Sequence, residues 1–210
     1  MKTTRALKFL LGASALSLPL LANSESNYQN GAGALTATAH VDFSVVIPKI
    51  LYLRVGTGSA YATTAALASV NTIDLITFAP ALGAVGNGVA VPGTGGDIAT
   101  GGETAALVSN AGNVVLSATA TGMLTDATGD TISFAQIATT SAANTLATTL
   151  AAPPLSNTTA AITVVAAANK LINADAKWTF AYANTAAVPG GTYGGVNLNN
   201  SRIVYTATMP

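Results

Sequence analysis

Apolar and polar residues alternate along this chain in short runs, and the longest run organises the rest. From 35 to 47 every odd position is apolar (Leu35, Ala37, Ala39, Val41, Phe43, Val45, Ile47). The even positions, Val46 excepted, are polar (Thr36, Thr38, His40, Asp42, Ser44). Successive strand side chains point to opposite faces, so a period of two predicts a strand with one buried face. Beyond Pro48 the alternation resumes in phase through Leu51, Leu53 and Val55, set against Tyr52 and Arg54. Proline cannot donate to a ladder, so Pro48 predicts a bend at which the strand pairs differently on its two sides.

Shorter runs predict further strands. Ile73 and Leu75 flank Asp74 within 70–78. Short strands are expected at 88–91 and 105–108, joined by the turn-prone 92–102. In 113–121, Val114, Leu116, Ala118 and Ala120 share one face, and 131–137 is expected to return against it as a hairpin across a turn at Gly129. Strands follow at 160–166, at Trp178, Phe180 and Tyr182 on one face, and at 202–209. The Ala/Thr-rich tract 138–159, split by Pro153 and Pro154, is expected to be loop, because frequent Thr and Ser lower helix propensity. No helix-period segment occurs. Seven to nine short strands between Gly, Pro and Asn turns predict an all-β protein, an antiparallel β-sandwich of immunoglobulin-like type with an extended N-terminal segment.

The N-terminus adds a destination. Lys2, Arg5 and Lys8 precede an apolar run from 9 to 21 that is broken by Gly12 and Pro19, which is the pattern of an export signal ending near Ala22. The expected organisation is therefore a signal peptide at 1–22, a flexible leader and candidate donor strand at 23–41, and a β-sandwich domain at 42–210. No stretch reaches the roughly eighteen continuous apolar residues of a membrane span. Loss of the signal leaves five basic against eight acidic residues, a net charge of −3, with no basic cluster to neutralise phosphates. No nucleic-acid partner is expected on that ground. With no cysteine, an exported fold depends on burial and backbone pairing alone. Charged residues make up 8% of the chain, against about a quarter in typical domains. Little charge then opposes contact with further copies of the chain.

Candidate chemistry is sparse. His40 is the only histidine and lies on the polar face of the 35–47 strand, so a Ser-His-Asp arrangement has no other base to use, and thiol chemistry is absent. Asp126 and Asp130 form the closest acidic pair, and a solvated turn is the expected reading. The glycine-rich 93–102 lacks the lysine of a phosphate loop and reads as flexible punctuation. Asn157-Thr158-Thr159 and Asn199-Asn200-Ser201 fit the glycosylation pattern, with turn chemistry as the plainer account. No catalytic residue, metal or cofactor is expected, and the chain is not expected to be an enzyme.

Two segments carry a resemblance to a known family. The alternating 35–46 after a polar leader, and the ending Pro189-Gly190-Gly191-Thr192-Tyr193-Gly194 followed by an alternating strand to Thr208, resemble pilins of the chaperone-usher class, in particular the spore-coat-U-like, archaic branch. The chain departs from those pilins in having no cysteine and in its long Gly/Ala/Thr-rich loops. The resemblance implies a sandwich short of one strand, completed by the N-terminal segment of the next subunit, with a periplasmic chaperone and an outer-membrane assembly protein as partners. It implies a subunit interface through Leu35, Ala37, Ala39, Val41 and Phe43, beginning near residues 40–43, and an extracellular or cell-surface filament built from copies of the chain. The alternative is a monomeric secreted module that binds carbohydrate or another surface ligand through Tyr and Asn on its Gly-rich loops.

Overall fold

A computed structural model describes residues 26–59, 61 and 72–210. The predicted signal at 1–22 and the start of the strand expected at 70–78 lie outside the described residues. The chain divides into two units, Met1–Ile47 and Pro48–Pro210.

The second unit is all-β. Seven strands have five or more residues: β1 (Leu51–Val55), β5 (Gly102–Ser109), β6 (Val114–Ala120), β9 (Ile137–Ala142), β10 (Thr159–Val164), β11 (Ile172–Tyr182) and β12 (Ile203–Thr208). Five two-residue strands complete the set: β2 (Ile76–Thr77), β3 (Val91–Pro92), β4 (Thr94–Gly95), β7 (Leu124–Thr125) and β8 (Thr131–Ile132). Every named strand pairs antiparallel with its neighbours. The first sheet runs β1-β5-β11, with β3 extending the β5 flank and β9 on the opposite side of β11; the second runs β10-β6-β12.

The alternation read from the sequence places the core. Ala105 and Leu107 of β5 and Ala174, Ala176, Trp178 and Phe180 of β11 meet Val114, Leu116 and Ala120 of β6 in one buried cluster. The Trp178 and Tyr205 rings, one from each sheet, lie with centroids 5.4 Å apart. This is a sandwich, with alanines leaving room for a few large side chains.

Four expectations need correction. The alternation expected to run as strand on both sides of Pro48 forms a strand only from Leu51. Asn110 supplies the reason: its Oδ1 accepts the Ile50 N–H at 2.8 Å, and its Nδ2 donates to the Pro48 carbonyl at 2.8 Å. One side chain thus replaces the ladder where proline interrupts it. The hairpin expected between 113–121 and 131–137 does not form. β6 is instead the middle strand of its sheet, while β8 pairs β7 across the Asp126 turn. Ser133 then caps a 3-10 turn at Phe134–Gln136, which ends the second half of that run.

The loop expected at 138–159 starts instead as strand β9, whose inward positions facing Tyr182, Phe180 and Trp178 are Ile137, Thr139 and Ser141. The glycine-rich 93–102 is tightly packed rather than flexible. A Cβ on Gly101 would stand 2.1 Å from the Gly93 carbonyl carbon, and one on Gly96 would stand 2.0 Å from the Gly102 oxygen. Gly93 and Gly101 also bond the two sides of the Phe180 backbone, at 3.0 and 2.9 Å. Glycine is required here because backbone approaches backbone.

The rest of 143–158 is tied down by β11. Buried Asp175 accepts from Asn144 Nδ2 (2.8 Å), Thr145 N (3.1 Å), Thr145 Oγ1 and Leu146 N (2.9 Å). Trp178 Nε1 donates to the Leu150 carbonyl at 2.8 Å, and Leu150 and Pro153 are wholly buried. Burial opposes ionisation of Asp175, but these four donors outweigh it and hold the carboxyl below its ordinary 3.8. Its contribution to stability is therefore present above that value and is lost as pH falls through the depressed one. Asp175→Asn should destabilise the fold by about 1–3 kcal/mol at pH 7, and the gap from wild type should narrow in acid. Leu150→Ala should cost about 2–5 kcal/mol. Urea denaturation at pH 7 and pH 3 checks both.

Candidate assembly interface

Residues 26–47 contain no strand or helix, only a bend at 31–33, and every one of them is exposed. The expected buried face therefore does not form among the described residues. Phe43 is 90% exposed, Val45 83%, Val41 74%, Ile47 74% and Leu35 50%, while Ala37 and Ala39 are exposed with them. Five large apolar side chains at alternate positions stay in water. The pattern is that of a half-buried strand, yet here both of its faces are exposed. All five expected interface residues, Leu35, Ala37, Ala39, Val41 and Phe43, share this stretch, and Val45 and Ile47 extend it to the unit's end.

The two sheets of the sandwich end in four long edge strands, β1 and β9 in one and β10 and β12 in the other. At β9 the chain continues the row past the strand's end: Leu150 N and the Thr148 carbonyl bond the Asp175 backbone at 3.0 and 3.2 Å. β1 and β12 neighbour one another along the other flank. Lys49 Nζ reaches the Pro210 carbonyl at 2.9 Å, and Ser109 Oγ lies 3.6 Å from the Met209 sulfur. Among the described residues no strand pairs with the outer edge of either.

The inward side chains on this flank, Leu53 and Val55 from β1, Ile203, Tyr205 and Ala207 from β12 and Met209 just after it, are only partly buried although they pack on the core. Sheet edges are ordinarily blunted by charge, proline or a covering segment. β12 reads Ile-Val-Tyr-Thr-Ala-Thr and carries none of the three within its span.

Other candidate residues resolve into structure. Asp126 accepts from Thr128 N (2.9 Å), Thr128 Oγ1 (2.7 Å) and Asp130 N (2.9 Å), so the expected solvated pair is a turn closed by a buried aspartate. The Thr128 hydroxyl, ahead of the backbone donors, holds its carboxyl below the ordinary value. Asn157 Oδ1 accepts from Phe134 N (2.8 Å) and Ser133 Oγ (3.1 Å), while Asn199 and Asn200 take left-handed turn conformations. Both glycosylation patterns are thus turn elements. His40 is exposed in the N-terminal unit. Among the described residues no three metal-ligating side chains converge. A shallow depression of about 360 Å³ is lined by Ala135, Ile137, Ala138, Thr139, Ala152, Pro154 and Leu155, with no ionisable group.

Sequence reasoning missed Asp175, Asn184 and Asn110 as organising residues. Buried Asn184 accepts from Gly86 N and donates to the Ala84 carbonyl. A lone Asn or Asp in a strand-rich sequence carries no local sign that distant loops will converge on it. The chain matches no family model, no curated protein and no solved structure.

The contrast between the two units predicts a proteolytic pattern. In unassembled protein, brief treatment with a broad-specificity protease should cut within 26–47 and leave a resistant fragment beginning near Pro48, identified by mass spectrometry. Cleavage that starts in β5, β6 or β11 would contradict it.

Proposed function

We propose that this protein is an exported structural subunit that assembles into a surface filament, each copy donating the segment around 35–47 to the sandwich of the next. The observation that carries this reading is the exposed, alternating segment ending in Phe43, Val45 and Ile47. A period-two pattern has a function only beside another strand, because the polar face needs water and the apolar face a pocket.

One flank of the sandwich supports this reading. The flank of β1 and β12 offers unpaired backbone and half-buried apolar side chains. In β-augmentation the ladder gives affinity and the alternate side chains give register. Side-chain burial alone would not offset the cost of ordering so long a segment, so the full ladder is needed and the acceptor edge must be preformed. The low charge of the chain fits close packing of copies. The pilin resemblance supports the same reading.

Substitution of Phe43→Asp together with Val45→Asp should abolish filaments seen by negative-stain electron microscopy and leave a monomer on size-exclusion chromatography. Its circular dichroism should match that of wild type, since neither side chain is part of the core. Deletion of 23–39 should act likewise. Unchanged filaments from both variants would sink strand donation, and a wild-type monomer at all concentrations would favour a secreted binding module instead.

A further inference from the structure

The chain contains two Asn-Gly dipeptides, Asn30-Gly31 in the N-terminal unit and Asn87-Gly88 ahead of β3. Glycine leaves a preceding asparagine amide most open to attack by the backbone, because no Cβ shields its nitrogen and its backbone turns freely. All four residues are exposed, so access to solvent does not tell the two sites apart. What separates them is the hydrogen bonding of the groups that would have to react.

At Asn87-Gly88 the reacting groups are held. The Gly88 N–H donates to the Asn184 carbonyl at 2.8 Å, and the Asn87 N–H donates to the Ala84 carbonyl at 3.3 Å. Asn87 Oδ1 accepts from Val89 N at 2.9 Å and from Asn184 Nδ2 at 3.0 Å. Asn184 is 1% exposed, so the tether is anchored on a buried side chain. Gly88 itself is fixed at a φ of +76°.

Asn30-Gly31 has no such tether. The pair enters the bend at 31–33, in a stretch without strand or helix, and among the described residues neither Asn30 nor Gly31 has a hydrogen-bond partner. A bond joins only its neighbours, from Gln29 Nε2 to Asn27 Oδ1 at 3.2 Å. A Cβ placed on Gly31 would meet the Leu35 side chain at 3.4 Å and nothing closer. Backbone with neither ladder nor burial opens at little cost. The Gly31 nitrogen and the Asn30 side chain are therefore free to approach each other.

We propose that Asn30 is a self-modification site, whose amide is lost to attack by the Gly31 nitrogen, while Asn87 is preserved by its tethers. The Gly31 nitrogen forms a bond to Asn30 Cγ, the Cγ–Nδ2 bond breaks, and ammonia leaves with the proton of the Gly31 N–H. Water then opens the cyclic imide. Attack at Cγ restores the normal backbone with an aspartate at 30. Attack at the Asn30 carbonyl carbon routes the backbone through Cγ and leaves an isoaspartate. Water is the only co-reactant, and either product exchanges a neutral amide for a carboxylate. Asp42 is the only acid in 26–47, so each conversion doubles the acidic charge of that stretch. The change precedes Leu35 and leaves the alternation of 35–47 intact. It records the age of a chain in its charge. The inference rests on the two local geometries and does not require the assembly reading.

Incubation of the purified full chain in heavy-oxygen water at pH 7.4, followed by peptide mass spectrometry with electron-transfer fragmentation, tests it. Position 30 should take up one heavy oxygen and appear as both aspartate and isoaspartate. It should do so about tenfold faster than Asn87 or more, since reaction at Asn87 waits on the opening of its tethers and ~1.4 kcal/mol of opening already imposes that factor. The rate at 30 should rise from pH 6 to pH 9, because the attacking nitrogen must lose its proton. In concentrated urea the two sites should react at similar rates. An Asn30 amide that stays intact in native protein overturns the proposal, as does an Asn87 that reacts as fast as Asn30 before urea is added. An Asn87 that remains slow in urea overturns it too, because the contrast would then owe nothing to the fold. Each of these outcomes is measured on wild-type protein, so none depends on a variant that folds.

Discussion

The Trp178 indole is the constraint on which most of this sandwich depends. The ring is wholly buried, and a buried N–H without a partner costs about 1–3 kcal/mol, so a carbonyl must be brought to it. Leu150 supplies that carbonyl, and the loop that carries Leu150 is placed accordingly. The same strand grips the loop a second time through Asp175, three residues earlier, and a third through its own backbone at 148–150. The loop in turn buries Leu150 and Pro153. On the opposite sheet Tyr205 packs against the indole and draws β12 to the core. One large ring among alanines thus positions a loop, a strand and the contact between two sheets.

That economy leaves the sandwich uneven at its flanks. Where 148–150 continues the row of β9, hydrogen bonds to Asp175 and the buried Leu150 cover the stretch of β11 beyond the end of β9. Along β1 and β12 nothing comparable is seen among the described residues, and the inward side chains stay half-buried. Charge does not protect these edges either, since Arg54 is the only charged residue in β1 and β12 has none. An edge that is neither charged nor covered is open to a further strand. The proposed assembly uses that opening, and the open flank and the exposed segment belong to one argument.

Much of this architecture was legible in the chain itself. β1, β6, β10, β11 and β12 follow from alternation, because each sets apolar residues against Thr, Ser or charge with enough contrast to show. β9 was hidden because its inward positions after Ile137 are Thr139 and Ser141, so the period-two signal disappears although the pairing remains. The 93–102 stretch was misread for a related reason. Glycine signals freedom locally, yet here it reports close backbone approach, which depends on residues as distant as Phe180. The anchors Asn110, Asp175 and Asn184 were illegible, since their worth lies in partners 30 to 100 residues away. At the candidate interface the pattern of 35–47 was plain, whereas the end of the sandwich was not: it stops at Pro48 because Asn110 takes over the ladder there.

The phase of alternation sharpens that last point. Val41, Phe43, Val45 and Ile47 continue into Leu51, Leu53 and Val55 without a change of parity, so a single straight strand would present all of them to one core. Pro48 and the Asn110 clamp prevent this, and the same pattern is divided between two environments. Leu53 and Val55 pack on the chain's own core, while Phe43 and Val45 remain in water. A lone strand loses backbone freedom without gaining a ladder, so it has little reason to order by itself. The apolar half of the pattern before Pro48 is therefore paired with no strand among the described residues.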